Sequence, residues 1–417
     1  MTVLTLRTLT GRPVQILVDQ EIGSGAEGVV YPVADSPHVC AKLYSDFTRA
    51  AQLGPRMEAL TGLSPVLWGG DCPEHLHVAW PRTTLRDHSG QLRGVVVPRI
   101  DGTPMLRLLD PGRRADLLDE ATWRSTFAVA ARVGRLFDML HGAGVVIGDV
   151  SPSNVLVDRH GHVTLLDCDG VQFTDPQTGL LHRGEKFTPE YAAPEVLDGR
   201  PLSREHDLFG LGVMICELIM EGQHPFGGVS TAQPPSESVE QNIKHHNNRV
   251  TRPDRLVPSA DALTAEILPG KILDLIRQCF EEGYERPERR PNGRAWAYEL
   301  DQAAYQMMGC RYNPRHAYHR SSVACVWCAR IVAGYGDHFP PPADWTMPLD
   351  APVRGGLMLA PAPTTLSTYP APPAPVNGRE AAPPAVVPSR SSKQLRTIAL
   401  IALIALIVLV IIVVAAL

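Results

Sequence analysis

The chain has 417 residues, with 39 basic against 44 acidic side chains and a net charge of −5, which excludes a nucleic-acid coat held by bulk positive charge. Eight cysteines are too few for a disulfide-built secreted scaffold. With 44% hydrophobic and 20% charged residues, most of the chain can bury a core, in two or three domains. Residues 1–18 read as short alternating strands and not as a charged-then-apolar leader, so no cleaved secretory signal is expected.

Residues 1–305 have globular texture. The first chemical motif is Gly23-Ser24-Gly25-Ala26-Glu27-Gly28, a G-x-G-x-x-G spacing. A dinucleotide site shares that spacing but runs from a strand into a helix. Here Val29, Val30 and Tyr31 follow, which predicts a loop between two strands of a hairpin. Its glycines let the backbone lie close over phosphates. Val39-Cys40-Ala41-Lys42 then places a lysine at the end of an apolar strand, where it can neutralise α- and β-phosphates. An exposed lysine on a strand edge would look the same. Glu58, in the helical stretch 55–60, can pair with Lys42 and fix it, or can be an ordinary solvated helix residue.

Apolar periodicity predicts helices over 121–141 and 207–220. Between them a loop presents Asp149, with Asn154 five residues on. A turn at 159–161 closes a hairpin whose second strand ends in Asp167-Cys168-Asp169. Phosphoryl transfer needs these parts: a carboxylate beside the nucleophilic hydroxyl, and an Asn and an Asp to hold Mg²⁺.

The ordered set resembles the protein kinase superfamily over 21–300. Its signature elements are similar to Gly23, Gly25 and Gly28, Lys42, Asp149 with Asn154, Asp167, and Ala193-Pro194-Glu195. The resemblance implies more. Thr188 opens a substrate-docking segment, Asp207 starts a buried helix under the catalytic loop, and Arg290 pairs with Glu195. Val95 to Gly102 runs into a hinge, with Val97 guarding the adenine pocket and Arg99 and Ile100 beside the nucleotide. Departures are visible too. Gly148 stands where an arginine is usual, Ser151 where a lysine is usual, and Cys168 and Asp169 replace a packing Phe and a flexible Gly. They place rate and regulation outside the family's common pattern and look like a divergent bacterial branch.

Cys310, His316, Cys325 and Cys328 can supply the three sulfurs and one imidazole of a tetrahedral Zn²⁺ site, with His319 a rival ligand. Free thiols in a loop and a redox C-x-x-C pair are the other readings. Cys40, Cys72, Cys216 and Cys279 sit in apolar surroundings and are expected in the core. From 340 to 388 there are 14 prolines in 49 residues, the composition of an extended linker. Twenty apolar residues from Ile398 onward are long enough to span about 30 Å of bilayer core as a helix. Arg390, Lys393 and Arg396 before them place the preceding chain in the cytoplasm.

The expected architecture is α+β and two-lobed. A kinase-like domain fills 1–305, with a β-rich lobe over about 1–100 and a helical lobe over about 101–305. A Cys/His segment follows at 306–332, a Pro-rich linker at 333–396 and a transmembrane helix at 397–417. The expected function is an ATP- and Mg²⁺-dependent protein kinase, Ser/Thr-directed, anchored at the cell membrane by its C-terminal helix. Its partner is a protein substrate and not a nucleic acid. A scaffold that binds nucleotide or partners without efficient transfer is the alternative, motivated by Ser151, Cys168 and Asp169. A small-molecule phosphotransferase is a third reading, opposed by the Ala193-Pro194-Glu195 segment and Arg290. The substrate, the activating signal and the oligomeric state are not encoded in these motifs.

Overall fold

The computed structural model describes residues 2–25, 27–63, 71–72, 75–231, 236 and 238–346. The chain divides into two units, Met1–Gly355 and Gly356–Leu417. The second unit lies wholly outside the described residues, as do Ala26, residues 347–396 of the expected linker and the apolar run 397–417. Among the described residues no helix is long and apolar enough to cross a membrane.

The first lobe carries a seven-stranded sheet. Its strands are β1 Val3–Thr8, β2 Pro13–Leu17, β3 Gly23–Ser24, β4 Gly28–Pro32, β5 Val39–Tyr44, β6 Thr83–Arg86 and β7 Leu92–Pro98, in the order β2-β1-β6-β7-β5-β4-β3. Side chains alternate across each strand. On β5, Val39, Ala41 and Leu43 join Leu6, Ile16, Leu85 and Val96 in one apolar cluster. Cys40, Lys42 and Tyr44 therefore point to the other face, where Tyr44 and Val95 enter the main core. Helix α1, Phe47–Gly62, packs on β6 and β7. Asp46 caps it by accepting from the N–H groups of Thr48 and Arg49 at 2.9 and 3.0 Å. Its buried stripe is Ala50, Gly54, Met57 and Leu60, the spacing of one helical face.

The second lobe contains β8 Thr103–Pro104, α2 Pro111–Leu117, α3 Trp123–Gly142, the hairpin β9 Val155–Val157 and β10 Val163–Leu165, α4 Pro194–Leu197 and α5 Arg204–Ile219. The two helices expected from periodicity are α3 and α5. Helix α5 is buried along nearly its whole length, as an apolar helix packed on every side must be. Helix α3 crosses the helix Gly293–Tyr305 at Gly134 and Gly293. A Cβ on Gly293 would stand 2.1 Å from the Gly134 carbonyl oxygen, so any side chain there would force the helices apart. The chain thus has the two-lobed α+β fold expected of it.

A small module closes the second lobe. The hairpin Met307–Gly309 with Ala317–His319 and the helix Val326–Val332 build it. Trp327 sits edge-on to Trp123 and Phe339, with centroids 5.4 and 4.7 Å apart. Its indole N–H donates to the Ala317 carbonyl at 2.7 Å. This packing corrects the expected linker start at 333. Asn313 donates to the Phe339 carbonyl at 2.9 Å, and the Phe339 side chain is buried. One aromatic anchor outweighs the Pro-rich composition that begins beside it. Cys40, Cys216 and Cys279 are buried as expected, but Cys72 is exposed. Cys72 follows Asp71 in a turn, not an apolar strand.

Candidate active site

Strands β3 and β4 pair with Gly23 opposite Val30 and Ser24 opposite Val29. The Gly25 N–H donates to the Gly28 carbonyl at 2.9 Å. The Gly-rich segment is therefore a strand-to-strand loop and not a strand-to-helix one. Gly28 is demanded by its neighbour strand, since a Cβ there would lie 2.2 Å from the Leu43 carbonyl oxygen. Lys42 lies opposite Val95 and Cys40 opposite Val97 on β7, so Val97 shares the Lys42 face of the sheet. Arg99 and Ile100 follow directly after β7, and the Arg99 N–H donates to the His38 carbonyl at 2.9 Å.

The partner expected for Lys42 is not the one it has. Its ammonium bonds Asp167 and both carboxylate oxygens of Asp169, the latter at 2.9 Å. Glu27 of the Gly-rich loop stands 3.7 Å away. Glu58 instead pairs with Arg86. Helical geometry is the reason. Arg49, Leu53 and Arg56 of α1 line the cavity beside the cleft, and Glu58, two residues after Arg56, lies about 200° further round the helix. The cleft-side residue Arg56 donates to the carbonyls of Asp169 at 3.3 Å, Arg183 at 2.8 Å and Val171.

The loop that carries Asp149 hangs from α5. Asp207, fully buried, accepts from the N–H groups of Ile147 and Gly148 at 2.7 and 2.9 Å and bonds His141 at 2.9 Å. His206 bonds the Gly148 carbonyl at 2.9 Å. Gly148 has φ of 75°, so the place of the usual arginine is a left-handed residue with both backbone groups claimed by α5. Next to it, Asp149 accepts a hydrogen bond from the Thr188 hydroxyl at 2.7 Å. Its carbonyl accepts from the Asn154 amide nitrogen at 3.0 Å, which leaves the Asn154 amide oxygen as that residue's ligand atom. Ser151 caps the short turn Pro152–Asn154, accepting from the Ser153 N–H at 3.2 Å.

Asp167 turns the chain after β10 with φ of 54°. Cys168 beneath it is buried in the main core. Burial and the Asp169 charge raise the Asp167 carboxyl above its usual range. Asp169 is held low by Lys42 although burial opposes its ionisation. Glu27, Asp167 and Asp169 each offer a carboxylate oxygen within 4.8 Å of the others. Glu27 and Arg56 carry no signal for this site in the sequence, and Asp169 stands there only as a departure from the family pattern. Both acids were visible, one inside the glycine motif and one in the Asp-x-Asp step, but no linear signal aims them at Lys42.

Behind the loop, Arg290 and Glu195 form a two-bond ion pair. At the module, the Sγ atoms of Cys310 and Cys328 are 3.6 Å apart, and His316 Nδ1 is 3.6 Å from Cys325 Sγ and 3.5 Å from Cys328 Sγ. The four ligand atoms lie within 4.8 Å of one another. His319 is excluded from the set, because Ser321 and Gln306 hold its two nitrogens at 2.7 and 3.2 Å.

A lysine beside a Gly-rich loop, a loop carboxylate beside an asparagine, and a carboxylate turn under one cleft are the parts that a kinase-type phosphoryl transfer needs. The family model for the protein kinase domain matches residues 96–299. Protein kinase YegI of Escherichia coli O157:H7 is 28% identical over 335 residues, covering 78% of this chain and 50% of that protein. Serine/threonine-protein kinase PkaB of Streptomyces coelicolor is 33% identical over 225 residues, covering 50% of this chain and 49% of its own. Over residues 96–299, just under half of its length, the chain is similar to protein kinases. It spans about half the length of the curated relatives it matches, and the family match begins within β7, after the strands that carry the Gly-rich loop and Lys42.

Proposed function

We propose that the chain is an ATP- and Mg²⁺-dependent protein kinase directed to serine and threonine hydroxyls. The observation that carries this reading is the placement of Asp149, bonded to Thr188 on one side and tied to Asn154 on the other. ATP fits under the Gly-rich hairpin of β3 and β4 and against Val97, Arg99 and Ile100. Asn154 and Asp167 are the residues to hold Mg²⁺, both offering oxygen donors. That ion supplies charge neutralisation at the phosphates. Asp149 orients the substrate hydroxyl and accepts its proton, Lys42 holds the phosphate oxygens, and Thr188 keeps Asp149 in place. Relatives named as serine/threonine-protein kinases support the hydroxyl class.

Incubating the full chain with γ-labelled ATP, Mg²⁺ and a generic protein substrate tests the reading. Label is expected on serine and threonine, and none should appear with Asp149→Asn. The scaffold reading gains from one feature: Lys42 is held by two carboxylates at once. Nucleotide binding without label transfer would select it.

The module fits one structural Zn²⁺. Cys310, Cys325, Cys328 and His316 are a three-sulfur, one-imidazole donor set, and His316 Nε2 bonds the Asp337 carboxylate at 2.9 Å, the outer partner that a zinc-bound histidine commonly has. The apolar run 397–417, outside the described residues, is proposed to anchor the chain at the cell membrane with the kinase cytoplasmic. The basic residues Arg390, Lys393 and Arg396 support that orientation. Membrane fractionation of the full chain tests it: recovery in the soluble fraction would rule out the anchor.

A further inference from the structure

In this chain the carboxylate that fixes Lys42 comes from the turn after β10 and not from α1. Glu58 is the sole acid in α1, Phe47–Gly62, and it faces Arg86. Asp169 is 7% exposed, and both its oxygens lie 2.9 Å from the Lys42 ammonium. A buried carboxylate survives only with a charged or hydrogen-bonded partner, and Lys42 is its ion-pair partner. Asp167, two residues earlier, bonds the same ammonium but is far more open, its side chain 37% exposed against 5% for Asp169. The two acids are thus inequivalent: one faces the cleft, the other sits behind the lysine.

Helix α1 is secured by different means. Arg56 donates to the carbonyls of Asp169, Val171 and Arg183. The link between α1 and the lysine therefore runs through the Asp167 to Val171 turn: Arg56 grips the backbone of Asp169, and the Asp169 side chain grips Lys42.

We propose that Asp169 is the positioning residue for Lys42, standing in for a helix carboxylate, and that it leaves Asp167 free to serve as a metal ligand. The inference rests on the kinase reading above. In the reaction Asp169 touches neither substrate nor metal. It holds the ammonium at the height of the phosphates when Asp167 turns to Mg²⁺. Glu58, whose place in the sequence suggested this role, is a surface partner of Arg86.

The test uses the full chain in detergent, with Asp169→Asn, Asp169→Glu and Glu58→Gln beside the unaltered protein. Three quantities are read: kcat/KM for ATP, the Mg²⁺ dependence of transfer, and binding of a fluorescent ATP analogue in EDTA, where metal ligation plays no part. Asp169→Asn is expected to lower kcat/KM by about 100-fold, the scale of a misplaced catalytic group, and to weaken binding in EDTA. Asp169→Glu should recover at least part of both losses, and Glu58→Gln should stay within about threefold of the parent. The inference is overturned if Glu58→Gln falls as far as Asp169→Asn, if Asp169→Asn keeps parental kcat/KM, or if excess Mg²⁺ alone restores it. The last outcome would make Asp169 a metal ligand. Should Asp169→Asn fail to fold by thermal melting, Glu58→Gln and Asp169→Glu still decide, since a large loss in the first, or a loss in the second that excess Mg²⁺ alone restores, contradicts the proposal. If the parent transfers no label, the kinase reading fails separately. Binding in EDTA then still reports on Asp169, and equal affinity in parent and Asp169→Asn would overturn its role.

Discussion

The buried guanidinium of Arg290 meets the Glu195 carboxylate in two parallel bonds of 2.6 and 2.9 Å, joining residues 95 apart in sequence. Arg290 also donates to the carbonyls of Gly283 and Glu205, each at 2.8 Å, so nearly every donor of the fork is used. The pair ties the segment around Glu195 to α5 and to the last turns of the second lobe.

Removing Arg290 leaves the half-buried Glu195 carboxylate and the Gly283 and Glu205 carbonyls without their partner. Arg290→Ala is expected to cost about 3–5 kcal/mol of stability, and Arg290→Lys should recover little, because an ammonium cannot reproduce the two-bond fork. Denaturant melts of the three proteins check this. A loss below about 1 kcal/mol in Arg290→Ala would show that the pair holds nothing.

Lys42→Met and Asp167→Ala are expected to abolish transfer; Asp167→Ala should keep the fold, whereas Lys42→Met strands the buried Asp169 carboxylate and should also lower the melting temperature. Each acts on phosphate or metal, and the Asp167 side chain is partly exposed to the cleft. Asp167→Ala should weaken Mg²⁺-dependent nucleotide binding more than metal-free binding. Labelled-ATP assays beside circular dichroism check both halves, and parental phosphorylation in either variant would sink the mechanism.

Asp207→Ala should slow transfer without touching any reacting group. It strips the acceptor from the Ile147 and Gly148 N–H groups and from His141, leaving buried donors unpaired at about 1–3 kcal/mol each. The expected readout is a lower melting temperature together with a reduced kcat. A stable variant with parental kcat would show that the loop needs no support from α5.

Glu217 makes stability depend on pH. Burial lifts its carboxyl to about 7, against the Tyr191 hydroxyl that donates to it at 2.7 Å. Its unfolded value is near 4.5, so the folded state binds more protons between the two values, and stability falls as pH rises through that window. The contribution is fully present below about pH 4.5 and lost above about pH 7, a change of roughly 3 kcal/mol at about 1.4 kcal/mol per unit. Glu217→Gln should flatten this slope. Melts at pH 5, 6, 7 and 8 compare the two proteins, and identical slopes would contradict the assignment.

One zinc per chain is expected on metal analysis, following from one four-ligand set. Cys328→Ser should lose it. Asp337→Ala should weaken it by about 10- to 100-fold, because Asp337 orients the His316 ring. Metal loss should also lower the melting temperature of the kinase domain, since Trp327 packs on Trp123 of α3. Four freely titrating positions without metal would leave only the loop reading.

Much of this protein was legible in the sequence because its signals are local. The glycine spacing, the Asp149 to Asn154 interval, the periodicity of α3 and α5 and the Cys/His pattern each depend on residues within a few turns of one another, and backbone geometry converts such spacing directly into loops, strands and helix faces. Tertiary structure decided which charges meet. Glu58 and Lys42 are 16 residues apart in sequence, but the rotation of α1 against the sheet aims Glu58 at Arg86 and Arg56 at the turn. Lys42 meets acids at 167 and 169, across more than a hundred residues. Phe339 likewise extends the folded module past the boundary that composition suggested, through contact with Trp327. A charge pairs with whatever the packing brings within a few ångströms, and that is fixed by the fit of whole elements and not by the spacing of residues along the chain.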